Sequence, residues 1–121
     1  LEMCHEYGLG VIPWSPLAGG FLSGKYSRGE APPPGSRGAT DEQFVDSYLI
    51  PENFVVLEEV ERVAEDVEAS PAQVSLAWLL HHEQVVAPIA GATSIEQLEE
   101  DLRASRIELS ESQFERIATA K

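Results

Sequence analysis

Apolar residues recur at helical spacing through "PENFVVLEEVERVAEDVE": Val56, Val60, Val63, Ala64 and Val67 fall on one side and most of the glutamates on the other. That pattern predicts an amphipathic helix. The next segment, "AQVSLAWLLHH", is apolar on several faces and predicts a helix packed between neighbours. Ser70, Pro71 and Gln73 form its start, with a hydroxyl N-cap, a proline at the first helical position and a glutamine able to complete a capping box. Thr93 or Ser94 caps a further helix, "IEQLEEDLRAS", and Ser110 with Gln113 opens a last one, "ESQFERIATA". "LEMCHEYG" reads as the last turns of a helix closed by Gly8.

Two short apolar runs, "LGVIPW" and "VVAPIAG", predict buried strands near residues 9–14 and 85–90, with Pro88 at a strand end. Between the first run and the amphipathic helix lies "SPLAGGFLSGKYSRGEAPPPGSRGATDEQ", a long loop studded with breakers. Its "APPPGS" stretch predicts a semi-rigid extended segment rather than a pocket wall. Strands alternating with helices imply an α/β fold with a right-handed parallel crossover. Two strands are too few for a covered parallel sheet or a closed barrel, so the chain is expected to be a piece of something larger.

Composition narrows the classes. The chain has 121 residues, 43% of them hydrophobic, which suits one globular domain. A single cysteine, Cys4, excludes an internal disulfide and makes a reducing compartment the expectation. No apolar run approaches a membrane span and "LEMCHEYG" lacks the apolar core of a signal peptide, so a soluble, cytoplasmic protein is expected. With 21 Asp and Glu against 8 Lys and Arg, the net charge is -13. Such a surface repels nucleic acid and anionic membrane. Each cation is then informative by its place: Lys25, Arg28 and Arg37 all fall in the long loop, where a phosphate-bearing ligand would need them.

"GLGVIPWSPLAGGFLSGKY" followed by "IAGATSIEQLEEDLRA" resembles the C-terminal part of the aldo-keto reductases, in the branch that includes the potassium-channel beta subunits. The resemblance spans almost the whole chain, with both motifs in order. It implies an incomplete (β/α)8 TIM barrel made of C-terminal βα units, with two parallel strands and packed helices and without the N-terminal half. It also implies NADPH as cofactor and, in the parent protein, reduction of a carbonyl substrate by hydride transfer.

On that resemblance, Trp14 stacks on the nicotinamide ring, although an aromatic at a strand end reads by itself as a core side chain. Ser15, Leu17, Ala18 and Gly19 hold the pyrophosphate through hydroxyl or backbone N–H groups, with Pro16 in the same cofactor-binding turn and small residues letting the backbone approach. Lys25 supplies charge to the phosphates. Arg37, in "GSRG", meets the 2'-phosphate, with Arg28 as the alternate. Gly91 turns the chain out of the second strand, and Thr93 caps the helix that follows. Gln97, Glu100 and Asp101, a turn apart on one helix face, reach the ribose or the adenine. By themselves they read as a solvated helix face.

The family usually has Asn where Asp101 stands, and an ionised Asp only accepts hydrogen bonds. The family's catalytic Asp, Tyr, Lys and His belong to the N-terminal half and have no counterpart here, so the chain alone is expected to be inactive. Tyr7, Tyr26 and Tyr48 lie in a helix end or loops, and His81 and His82 close a helix. A second reading is a non-catalytic nucleotide-binding partner or regulatory module.

Overall fold

A computed structural model describes all residues from Leu1 to Lys121. Six α-helices carry the chain: α1 (Glu2–Glu6), α2 (Glu42–Tyr48), α3 (Pro51–Asp66), α4 (Pro71–Leu80), α5 (Ile95–Arg103) and α6 (Glu111–Ala118). Short 3₁₀ segments cover Ala18–Ser23, Arg37–Ala39 and Ala104–Arg106. The predicted capping boxes are both present: Ser70 Oγ accepts from Gln73 N–H while Gln73 Oε1 accepts from Ser70 N–H, and Ser110 and Gln113 do the same for α6. Each such cap contributes about 1 kcal/mol to its helix.

The core has two parts. Val60, Val63 and Ala64 of α3 meet Val74 and Ala77 of α4 and, from the C-terminal segment, Leu109 and Ile117. This is the helical stripe of α3, joined by the multi-faced apolar surface of α4. A second cluster is largely aromatic: Phe21, Tyr26, Phe44 and Phe54 surround Leu57. The rings of Phe21 and Phe54 meet edge to face with centroids 5.3 Å apart, and Tyr26 Oη accepts from the buried Gly38 N–H at 3.1 Å. The long loop is thereby wound about a core of its own.

A helix begins before the end of the long loop as read from the sequence, which ran to Gln43. Glu42–Tyr48 is helical, with Asp41 as N-cap accepting from Phe44 N–H. Burial of Phe44 in the aromatic cluster, together with the Asp41 cap, outweighs the breakers that precede them.

The strands are corrected as well. Instead of two paired strands there are two isolated parallel bridges, Val11 with Val85 and Trp14 with Ile89. Val11 N–H donates to Gln84 O at 2.7 Å and Val86 N–H to Val11 O at 2.9 Å, the alternation of a parallel ladder. The next donor on that side is Pro88, which has no N–H; Ile89 N–H donates to Pro13 O instead, at 2.9 Å. The register therefore slips by one residue, and Pro13 and Pro88 together break the ladder. The parallel direction is the expected one, whereas continuous strands and a partial barrel sheet are absent.

Leu9, Ile12, Val86 and Ile89 on the bridged segments, and Ile95, Leu98 and Leu102 on α5, remain exposed. They stand exposed in an otherwise acidic chain. No helix is long and apolar enough to cross a membrane.

Candidate functional site

The bridged segments, the turn after Trp14, the N-terminus of α4 and one face of α5 enclose an open cavity of about 620 Å³. This volume lies within the range of small-molecule sites, roughly 300–1,000 Å³. Its walls carry Trp14, Ser15, Pro16, Leu17, Gly19 and Lys25 from one stretch of sequence, and Gly91, Thr93, Gln97, Glu100 and Asp101 from the other. The second bridge, Trp14 with Ile89, joins these two stretches and sets the ends of both runs at the cavity.

Trp14 is 83% exposed, which separates it from a core aromatic in this chain. Beyond it the backbone turns sharply. Ser15, Ala18, Gly19 and Gly20 all have positive φ, at 55°, 50°, 66° and 95°. Ala18 N–H donates to Ser15 O at 3.0 Å and Gly20 N–H to Leu17 O at 2.9 Å, whereas the N–H groups of Leu17 and Gly19 donate to no backbone group. Three left-handed residues in a row, Ala18 to Gly20, fold the turn back on itself and leave the Leu17 and Gly19 N–H groups without a backbone acceptor beside the cavity. Ala18 itself does not line the cavity. Its backbone shapes the turn while its side chain packs against the aromatic cluster.

The cations divide by their partners. Lys25 is exposed at the cavity wall, forms no ion pair, and reaches back so that a methyl group at Gly20 would stand 3.0 Å from its Nζ. Arg28 is bound to Glu58 of α3 at 2.9 Å, with its guanidinium over the Phe54 ring. Arg37 does not line the cavity, but its Nη1 would be 3.2 Å from a Cβ on Gly19, just behind the turn. It pairs with Asp41 at 3.2 Å and lies over the ring of Phe44. The Phe44 N–H first, and then the Arg37 guanidinium, hold the Asp41 carboxyl below its usual range.

On the opposite wall, Ser94 rather than Thr93 is the N-cap of α5, with its Oγ accepting from Gln97 N–H at 3.2 Å. Thr93 instead donates through its backbone N–H and its hydroxyl to Gln97 Oε1, each at 2.9 Å. Gln73 Nε2 of α4 donates to Glu100 O at 3.1 Å and ties α5 to the helix beside it. Burial first, and then the charge of Glu100, push the Asp101 carboxyl up from its usual range.

Five further wall residues escaped sequence reasoning: Gly20, Ser23, Ala72, Ile89 and Ala90. Ala72 was within reach, since the Ser70 cap marks the start of α4 and so the end of that helix that faces the cavity. Ser23 gives no such signal; its hydroxyl closes the turn by donating to Gly20 O at 2.8 Å. No tyrosine or histidine lines the cavity, and no group of His, Cys, Asp or Glu in the chain is arranged to hold a metal ion.

The Aldo/keto reductase family matches residues 1–121 throughout, and the chain belongs to that family. It is 34% identical over 120 residues to a Glycine max protein named "Probable aldo-keto reductase 1", covering 99% of this chain and 34% of that one. It is 30% identical over 122 residues to the aldo-keto reductase yakc [NADP(+)] of Schizosaccharomyces pombe, covering 99% of this chain and 35% of the relative. A "Probable voltage-gated potassium channel subunit beta" of Oryza sativa subsp. japonica is 33% identical over 106 residues, covering 86% of this chain and 32% of that one. The chain thus spans about a third of the length of these curated relatives.

Proposed function

We propose that this chain is the C-terminal, cofactor-holding part of an NADPH-dependent aldo-keto reductase that reduces carbonyls to alcohols. The observation that carries the reading is the meeting, in one cavity, of residues 14–25 and 89–101, two stretches far apart in sequence. The residues suit a dinucleotide in kind and order along the walls. The broad exposed face of Trp14 offers a stacking surface. Next to it, the N–H groups of Leu17 and Gly19 and the unpaired Lys25 offer donors and charge to a pyrophosphate. Arg37, behind Gly19, is in reach of a further phosphate by exchanging Asp41 for it, and Arg28, held against α3 by Glu58 with no contact to the turn, is the weaker candidate. Polar groups on α5 remain for the adenosine end.

Bound there, the reduced nicotinamide supplies hydride to a carbonyl carbon. The residues of this chain bind and orient; Trp14 presents one face of the ring and blocks the other. A proton donor for the alkoxide is left to residues outside this chain, so the chain on its own is expected to bind NADPH and to turn over no aldehyde or ketone. Titration with NADPH, read by quenching of tryptophan fluorescence and repeated with Trp14→Phe, tests the reading. Saturable quenching that the substitution largely abolishes supports it, and an unchanged signal on addition of NADPH sinks it. Steady turnover by the pure chain would instead place the proton donor within these residues.

A further inference from the structure

A second hollow lies between α3, α4 and α6, about 480 Å³ in volume and so of small-molecule size. Val56 and Val60 of α3, Trp78 and Leu79 of α4, and Phe114 and Ile117 of α6 supply most of its wall. Pro16 is the one residue it shares with the cavity walled by Trp14 and α5, so the two are separate spaces. No Lys, Arg, Asp or Glu lines it. An anion or an ammonium ion would lose its water there without meeting a counter-charge, and the hollow therefore suits a neutral molecule.

Of the side chains there that can hydrogen-bond, two are already engaged. Trp78 Nε1 donates to Phe114 O at 3.1 Å, and Ser75 Oγ donates to Pro71 O at 2.8 Å. The half-buried imidazole of His82 makes no hydrogen bond within the chain. It meets the rings of Trp78 and Phe114 edge to face, with centroids 4.8 and 5.0 Å away. Burial first, and then the charges of His81 and of the chain's amino terminus, hold its pKa below the usual histidine range, so the ring is neutral at pH 8. A neutral imidazole has one N–H donor and one bare nitrogen acceptor. A hydroxyl group, which both donates and accepts, matches it in either tautomer.

We propose that this hollow is a second binding site, for a neutral aromatic molecule bearing one hydroxyl, with His82 as the residue that recognises the hydroxyl. The rings of Trp78 and Phe114 and the aliphatic side chains of α3 match the flat apolar body of such a molecule. The imidazole fixes its polar end, the division of labour general to small-molecule sites. Apart from Pro16, no residue of the dinucleotide cavity takes part, so failure of the proposal leaves the cofactor reading standing.

The test is equilibrium dialysis of the chain at pH 8 against 2-naphthol and against 2-methylnaphthalene, which keeps the shape and lacks the hydroxyl. The chain is expected to take up one 2-naphthol with a dissociation constant on the order of 100 µM or below. It is expected to hold 2-naphthol about tenfold more tightly than 2-methylnaphthalene, the scale of one hydrogen bond. Val56→Phe, which fills the hollow from α3, is expected to weaken both about tenfold. His82→Phe keeps a ring but no nitrogen, and is expected to reduce the preference for the hydroxyl to about twofold or less. Absence of saturable uptake of 2-naphthol overturns the proposal. Uptake that Val56→Phe leaves unchanged also overturns it, because binding then lies elsewhere. Equal affinity of the unmodified chain for the two probes does the same without calling on any variant to fold. A preference undiminished in His82→Phe that still unfolds cooperatively in urea removes His82 from the recognition and overturns the proposal with it.

Discussion

Gly19 and Arg37 are packed against each other across the turn that walls the cavity: a methyl group added at Gly19 would stand 3.2 Å from Arg37 Nη1 and 3.0 Å from the ring of Phe44. Gly19 also has φ of +66°, where an L side chain is strained. Gly19→Ala is expected to destabilise the chain by about 1–2 kcal/mol, seen as a lower urea midpoint, and to weaken NADPH binding by displacing Arg37. Unchanged affinity in a destabilised variant would separate Arg37 from the site.

The two loop arginines differ in their commitments. Each pairs with one carboxylate and lies over one ring, but Arg37 stands against Gly19 of the cavity turn, whereas Arg28 is tied to Glu58 and Phe54 of α3. Arg37→Ala is expected to lower affinity for NADPH about tenfold, the scale of one charge-assisted hydrogen bond, and to leave NADH binding nearly unchanged. Arg28→Ala is expected to alter neither. Parallel titrations with both dinucleotides decide it, and equal losses for NADPH and NADH in Arg37→Ala would contradict the assignment to the 2'-phosphate.

Burial and the neighbouring Glu100 charge raise the folded-state pKa of Asp101 above 3.8, its ordinary value. The folded state then binds more protons than the unfolded one, so this carboxyl's contribution to stability falls as pH rises through 3.8 and through the raised folded value. Asp101→Asn is expected to be more stable than the unmodified chain at pH 7. The advantage closes as pH falls below 3.8, where the Asp is neutral in both states. Thermal melts of the pair between pH 3 and pH 7 measure this, and a constant gap across the series would exclude the electrostatic cause.

Glu59 has the opposite sign. Burial alone would raise its carboxyl, but bonds from Arg62 at 2.8 Å and from Arg116 of α6 at 2.7 Å outweigh burial and hold it below its usual range. Its contribution is present above its ordinary value of 4.5 and lost as pH falls through the lowered folded value. Glu59→Gln is expected to cost about 1 kcal/mol at pH 7, measured by urea unfolding, and almost nothing near pH 2. Loss of this pair loosens α6 from α3, so protection of α6 amides from hydrogen exchange should drop with it.

Leu9, Ile12, Val86 and Ile89 of the bridged segments and Ile95, Leu98 and Leu102 of α5 are all exposed. Burial of apolar surface contributes roughly 25 cal/mol per Å², and this many exposed apolar side chains in one chain favour association. The chain by itself is expected to bind a hydrophobic dye and to self-associate in sedimentation velocity. A monomer that binds no dye would favour a free-standing module over a part of a larger barrel.

Helix starts were legible in the sequence because their chemistry closes within a few residues. The Ser70–Gln73 and Ser110–Gln113 boxes need only their own turn of backbone, and the α3 stripe needs only its own periodicity. The motif residues of the cavity were legible as two separate groups, but nothing local says that Trp14 and Ile89 meet. What the tertiary structure decided is of that longer-range kind. Arg37 is turned against Gly19 by packing on Phe44, Phe44 is helical because an aromatic cluster buries it, and Ser94 takes the cap while Thr93 locks Gln97. The strands shrink to two bridges because Pro13 and Pro88, each compatible with a strand end on its own segment, remove donors from the same ladder once the segments pair. A proline's missing N–H is written in the sequence; which acceptor it fails to meet is settled only when the chains lie side by side.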